Sequence, residues 1–136
     1  MKHILRFCVG GLAYFLVEVV WRICMNHGEA SFLMAPMGGL VCVVVMWLYD
    51  KRVNLVLGGL IGAVVTTLLE LIVGSVALFG FNRRFWHYGR INWNGIIAFD
   101  WFFKWWGICL GVLVARWLLD LYLKKRKERA KHGTDV

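Results

Sequence analysis

The chain has 136 residues, of which 60% are hydrophobic, and it carries a formal net charge of +8 with eight tryptophans and one proline. A soluble domain of this length needs far more polar surface to cover its core, so the composition excludes that class. It predicts an integral membrane protein of one domain. The four cysteines, Cys8, Cys24, Cys42 and Cys109, form no CxxC pair. This spacing argues against a thiol–disulfide membrane enzyme, which needs closely spaced reactive cysteines.

Four apolar stretches are long enough to cross ~30 Å of hydrocarbon as helices. They lie at about residues 4–25, 32–49, 53–79 and 96–123. We expect the first stretch to be retained rather than cleaved as a signal peptide, because Glu18 interrupts it and no small-residue cleavage site follows. The sequence therefore predicts an all-α, four-helix membrane bundle, with a structured aromatic and basic outer loop between helices 3 and 4.

The basic residues indicate how this bundle is oriented. Lys2, Lys51, Arg52 and the basic tail at residues 124–136 fall on one side of a four-span topology. Because short Lys/Arg-rich segments tend to stay cytoplasmic, both termini are predicted to be cytoplasmic in a bacterial inner membrane. The tail directly follows an apolar helix, so we interpret it as an anchor to anionic lipid headgroups rather than as a nucleic-acid-binding segment.

Rows of small residues predict close helix packing in the third and fourth spans. Gly58 and Gly62 have GxxxG spacing, and Gly107, Gly111 and Ala115 continue the same four-residue repeat. Such rows let helix backbones approach closely in a membrane. They could serve packing within the bundle or a homo-oligomer through Gly58/Gly62 or Gly107/Gly111.

Ionisable residues at membrane depth are the candidate binding or ion-pathway residues: Glu18, Arg22, Glu70, Asp100 and Lys104. A charge at a membrane helix centre costs about 2.5–3.5 kcal/mol, so such groups usually face a bundle interior or a cavity. The pairs Glu18–Arg22 and Asp100–Lys104 are spaced i,i+4 and could neutralise themselves. Glu70 has no basic neighbour in sequence. It must find a partner across helices, carry a proton or contact water.

The Asp100–Lys104 pair lies among Trp101, Trp105 and Trp106, an arrangement that suits an interfacial anchor. Arg116 and Asp120 form a further i,i+4 pair near the predicted cytoplasmic end, and we assign it no function. For Glu70 the candidate cationic partners are Lys104, Arg22 and the arginines of the outer loop.

The outer loop, FNRRFWHYGRINWNG at residues 81–95, combines cations, aromatic rings and amides. Its aromatic side chains suit the headgroup zone, and Asn94 could cap the fourth span. The segment could bind an anion, a lipid phosphate or a sugar, or it could close over Glu70 and Asp100. The predicted outer lid consists of Arg83, Arg84, Trp86, His87, Tyr88, Arg90, Asn92 and Asn94.

Four stretches, in order, carry a family resemblance: GGLAYFLVEVVWR, NHGEASFLMAPMGGL, TTLLELIVGSVALF and FWHYGRINWNGIIAFDWFFKWWG. Together they resemble the ABC-transporter type IV (CmpB-like) family of small bacterial membrane proteins. His87 stands where the family usually has an acid, and Ile96 replaces an arginine. The matching positions are Glu18, Asn26, Gly28, Thr67 to Glu70, Trp86, Tyr88, Asn92, Asn94, Gly95, Trp106 and Gly107.

The resemblance implies a role in transport. The chain has no nucleotide-binding motif, so any ATPase would be a separate transport subunit. We therefore predict a small transporter, channel or membrane subunit that uses intramembrane carboxylates, with proton uptake by Glu70 as one means of coupling.

Two other classes remain open. A small multidrug exporter also has four spans and a carboxylate in its first span, which Glu18 matches superficially. A non-transport membrane module is the second: a holin-like pore former, an immunity protein or an assembly factor that binds lipid or a partner protein. No enzyme, cofactor or metal is predicted, because the sequence offers no nucleophile–base pair and no metal-ligand cluster.

Overall fold

A computed structural model describes residues 1–25, 34–83, 92–93 and 96–134 of the chain. Four helices form nearly all of this part, which confirms the predicted all-α membrane bundle. Just before the last helix, two short strands pair antiparallel, Asn92 with Ala98 and Trp93 with Ile97. The elements in chain order are α1 (Lys2–Met25), α2 (Met34–Asp50), α3 (Leu55–Ser75), a π-helical turn (Val76–Gly80), β1 (Asn92–Trp93), β2 (Ile97–Ala98) and α4 (Phe99–Thr134).

Three helical segments are long and apolar enough to cross a membrane, namely Lys2–Val20, Leu55–Gly80 and Phe99–Thr134. Helix α2 is apolar but has 17 residues, or ~25 Å at 1.5 Å per residue, which is the lower end for a span. The count of four spans therefore stays a prediction. Helix α4 runs without a break through the basic residues 124–134, so the segment predicted as a tail is a helical extension with exposed side chains.

Glycines bring α1 and α2 together along their length. If Gly11 carried a Cβ, that atom would lie 2.5 Å from the carbonyl oxygen of Ala35. A Cβ on Gly39 would lie 2.7 Å from the carbonyl oxygen of Phe7. The two backbones are thus closer than any residue larger than glycine would permit. Dispersion contacts hold the helices together, because lipid is as apolar as the side chains and supplies no hydrophobic driving force for their association.

The glycine row of α3 faces α4 within the same chain. A Cβ on Gly62 would lie 2.8 Å from the Sγ of Cys109, and Gly58 is likewise buried. This row therefore serves packing inside the bundle. Gly107 and Gly111 have open space where their Cβ atoms would be, with no described atom within 4 Å. A homo-oligomer through that second row stays a prediction.

The outer surface of the bundle is apolar. Large side chains such as Leu16, Leu57 and Leu118 are half or more exposed. In water a surface of this kind would drive aggregation, whereas in a bilayer it faces acyl chains of the same polarity. The buried core is correspondingly small and centres on Val45 and Leu113.

A polar clamp fastens the start of α1 to the end of α2. The guanidinium of Arg6 donates to both carboxylate oxygens of Asp50, at 2.7 and 3.1 Å. The ammonium of Lys2 lies 3.0 Å from the same carboxylate. The hydrogen bonds from the Arg6 guanidinium, and to a smaller extent the contact with Lys2, hold the pKa of Asp50 well below its usual range.

A second polar contact joins α2 to α4 at the same end. The hydroxyl of Tyr49 donates to Asp120 at 2.8 Å, and Asp120 also pairs with Arg116 at 3.3 Å. The predicted i,i+4 pair on α4 therefore forms, and it has a cross-helix partner that the sequence did not indicate. Together with the Asp50 clamp, it places the start of α1, the end of α2 and residues 116–120 at one end of the bundle.

A tight turn at residues 51–54 connects α2 to α3 at this end. Arg52 adopts a left-handed backbone conformation with φ of 59°, and its N–H donates to the carbonyl of Tyr49 at 2.9 Å. The side chain of Asn54 then caps α3 by accepting from the N–H of Val56 at 2.9 Å. The turn satisfies backbone groups at both helix ends, so the two helices can run antiparallel without a longer loop.

Replacing Gly11 by alanine should weaken the α1–α2 contact. The added methyl meets a backbone carbonyl that cannot rotate away, so the free energy of unfolding in mixed micelles should fall by about 1–3 kcal/mol. SDS titration measures this, with Gly107→Ala as the matched control because the same methyl there enters open space. Equal stability of the two variants would contradict the close crossing.

Asp50→Asn should destabilise the bundle by ~1 kcal/mol near neutral pH. The carboxylate has a lower pKa folded than the ~3.9 of an unfolded chain, so its contribution is complete above that value. The contribution is lost as the pH falls through the folded pKa. Denaturant titrations of wild type and variant should thus differ equally from pH 8 to pH 5 and converge below about pH 4.

The control for this prediction is Asp100→Asn, which removes an exposed carboxylate 3.9 Å from its partner Lys104 and should change stability little. Convergence of the wild-type and Asp50→Asn curves already at pH 5 would show that the clamp does not hold Asp50 as described.

Candidate functional site

A carboxylate is buried between α3 and α4. Glu70 on α3 is 2% exposed, and the indole nitrogen of Trp105 on α4 donates to its Oε1 at 3.1 Å. Trp105 is itself buried. Among the candidate site residues whose side chains the structure describes, Glu70 is therefore the buried one, and a neutral donor on the neighbouring helix is one of its partners.

The buried face of α3 explains how Glu70 reaches this position. Gly58, Gly62, Thr66 and Glu70 follow one another at four-residue spacing and are all buried. The two glycines admit α4, and the hydroxyl of Thr66 is satisfied by donating to the carbonyl of Gly62 at 2.8 Å. Because Glu70 is the next residue in this row, its side chain also faces α4, where it contacts Trp105.

An aromatic pair connects α1 to the same tryptophan. The ring centroids of Tyr14 and Trp105 are 5.2 Å apart, and the ring planes are inclined at 42°. Gly38 of α2 makes room for Tyr14, since a Cβ at Gly38 would lie 2.5 Å from the Cβ of the tyrosine. Helices α1, α3 and α4 are thus linked through Tyr14, Trp105 and Glu70 in series.

Beside this chain of contacts lies a cavity of about 220 Å³, lined by residues from all four helices. Its walls are apolar apart from Thr66 and Glu70. The mouth lies between α1 and α4, because the lining residues Val17, Ile108 and Val112 are also exposed on the outside of the bundle. The cavity therefore opens toward the surface that faces lipid.

The other candidate ion-pathway residues with described side chains, Glu18, Asp100 and Lys104, do not line this cavity. Glu18 is half-buried on α1 and is not among the lining residues, and the side chain of Arg22 is outside the described residues. Asp100 and Lys104 are exposed and 3.9 Å apart, with the Lys104 ammonium 4.2 Å from the ring centroid of Trp101. This geometry suits the interfacial anchor that the sequence suggested.

The outer lid can be followed only in part. Arg83 is exposed, and the backbone of Asn92 belongs to β1. The remaining predicted lid residues lie outside the described residues: Arg84, Trp86, His87, Tyr88, Arg90 and Asn94.

The sequence pattern around Asp100–Lys104 predicts an interfacial belt that includes Trp105, and no pattern distinguishes Tyr14 from the other aromatic residues of the spans. The signal for Trp105 was available, because Trp105, Cys109 and Leu113 share four-residue spacing and form the buried face of α4. Within residues 1–25, 34–83, 92–93 and 96–134, no three His, Cys, Asp or Glu side chains are grouped closely enough to hold a metal ion.

The fold and the site define a helical membrane protein with a buried carboxylate beside a cavity open to the lipid-facing surface. Residues 5–133 match the family model described as Putative ABC-transporter type IV, so the chain belongs to that family, as its motifs suggested. No curated protein and no solved structure matches the chain. The family description places the chain among ABC-transporter-related membrane proteins and specifies no substrate.

Proposed function

We propose that this chain is a transport component, either a small carrier or channel or the membrane subunit of a larger system, and that the Glu70 cavity is its solute site. The observation that carries the proposal is the burial of a carboxylate at membrane depth against a cavity. A carboxylate there opposes insertion, and packing alone would favour an apolar residue of similar size. Such residues commonly mark solute or proton pathways.

Proton coupling through Glu70 fits this geometry. The indole of Trp105 fixes one carboxylate oxygen, and the cavity gives the side chain a route to a solute. In such coupling, Glu70 would alternate between a state that binds a proton and a state that binds the solute. The coupling is part of the proposal, and its signature is flux that depends on both pH and Glu70.

The basic extension of α4 favours the membrane-subunit form of the proposal. It is an exposed helix that continues α4, so its charges are available to a partner protein as well as to anionic lipid headgroups. An assembly factor that binds a partner protein without flux is the second candidate function, and the same extension supports it. The cationic residues are Lys124, Lys125, Arg126, Lys127, Arg129 and Lys131.

Flux in reconstituted liposomes tests the lead proposal. With a pH-reporting dye and a panel of ions, wild type should show flux that is lost in Glu70→Gln, because the amide has the same shape but neither carries a charge nor takes up and releases a proton near neutral pH. Glu128→Gln on the exposed extension is the matched control and should leave flux unchanged. Gel filtration establishes that both variants fold.

Full flux in Glu70→Gln would overturn the role of this carboxylate. No flux under any gradient would instead favour the subunit or assembly function, and purification with crosslinking would then identify what binds the α4 extension.

We also propose that the clamped end of the bundle is cytoplasmic. The Asp50 and Asp120 contacts bring Lys2, Lys51 and the α4 extension to this end, and an excess of Lys and Arg stays inside. A C-terminal green fluorescent protein fusion should therefore fluoresce in a bacterial host, and a C-terminal alkaline phosphatase fusion should be inactive. The reverse pattern would invert the orientation.

A further inference from the structure

We infer that the Glu70 cavity binds a small amphiphilic cation, with an apolar body and a single ammonium group, that reaches the cavity from the bilayer. The inference rests on the proposed function, because it names the solute class of the same cavity. It follows from the size of the cavity, the chemistry of its walls and the position of its mouth.

The size and walls of the cavity set the body of the ligand. A protein cavity of roughly 150 Å³ holds benzene, so about 220 Å³ suits a ligand of roughly nine or ten non-hydrogen atoms. The walls are built mostly from Ala, Val, Leu, Ile, Met and aromatic side chains. They offer a sugar or a nucleotide few hydrogen-bonding partners, and burying such polar ligands unpaired is costly.

The charge of the ligand follows from Glu70. Among the described residues that line the cavity, Glu70 is the one that carries a formal charge. A carboxylate has about four lone-pair sites, so a hydrogen bond from Trp105 leaves it able to pair electrostatically with an ammonium group. Tyr14 and Trp105 also line the cavity, and aromatic rings attract cations through their faces.

The route of access follows from the mouth. Val17 of α1 is 64% exposed, and Ile108 and Val112 of α4 are 47% and 42% exposed, while all three also line the cavity. These side chains lie on the outer surface in the apolar part of the bundle. A strongly hydrated inorganic ion gains nothing at such an opening, whereas an amine that partitions into the bilayer reaches it directly.

A pair of ligands of the same shape isolates the charge. Trimethylphenylammonium and tert-butylbenzene differ in having N⁺ or carbon at the centre of the trimethyl group, and both have ten non-hydrogen atoms, which is within the size expected from the cavity. Radiolabelled trimethylphenylammonium should bind the full chain saturably in maltoside micelles. Unlabelled tert-butylbenzene should compete about tenfold or more weakly than the unlabelled cation, because it cannot pair with Glu70.

Two variants test the site without depending on each other. Glu70→Gln should weaken cation binding by about tenfold or more and leave binding of the neutral ligand unchanged. Val17→Trp should obstruct the mouth and reduce binding of both ligands. Val20→Trp is its matched control, because Val20 is 58% exposed on the same helix and does not line the cavity.

Equal competition by the two ligands in wild type would overturn the inference and leave an apolar site without charge selection. The absence of saturable cation binding would overturn it as well, and this result does not require any variant to fold. Binding and flux separate the two proposals. Glu70-dependent flux without cation binding removes only the ligand class, whereas cation binding without flux removes transport by the chain alone and retains the site.

Discussion

The buried carboxylate of Glu70 is the constraint around which the bundle is arranged. At membrane depth no water is at hand to solvate it, so its hydrogen bonds must come from the protein or a ligand. Trp105 supplies one of them from α4, and this requires α3 and α4 to lie within backbone contact. The glycine row of α3 provides that closeness, because Gly62 has no side chain and Cys109 occupies the space where one would be. The polar bond and the small-residue packing thus depend on each other.

Two glycine-packed helix pairs joined by larger side chains leave a space between them. Helix α1 lies on α2, and α3 lies on α4, each pair drawn together at positions that lack a Cβ. Between the pairs, Tyr14 and Trp105 hold α1 and α4 apart at ring distance. At one end, polar contacts from Asp50 to α1 and from Tyr49 to α4 fix the pairs to one another. The cavity lies beyond those contacts, where no comparable clamp occurs among the described residues.

Much of the helix layout could be predicted from sequence, and the direction of most side chains could not. The third predicted span, residues 53–79, corresponds closely to Leu55–Gly80, because apolar length alone defines it. Which face of a span points inward is a different matter. Lipid and bundle interior are equally apolar, so amphipathic periodicity disappears, and only polar or small residues mark a face. Glu70 and Gly62 could be predicted as inward-facing for that reason. Tyr14 could not, because an aromatic residue suits the bundle, the lipid and the interface alike.

The same physics decides between a structural and a functional interpretation of the site. A carboxylate kept only for packing would do best surrounded by well-fitted side chains, since space beside it forfeits dispersion contacts without relieving desolvation. Here Glu70 and Thr66 adjoin a cavity whose mouth opens at Val17 between two helices. The buried carboxylate and the unfilled space beside it both cost stability, and they occur at the same place. A bound solute offsets both at once, because its apolar body fills the space and its polar group pairs with the carboxylate. Their coincidence is the physical argument for the proposed binding site.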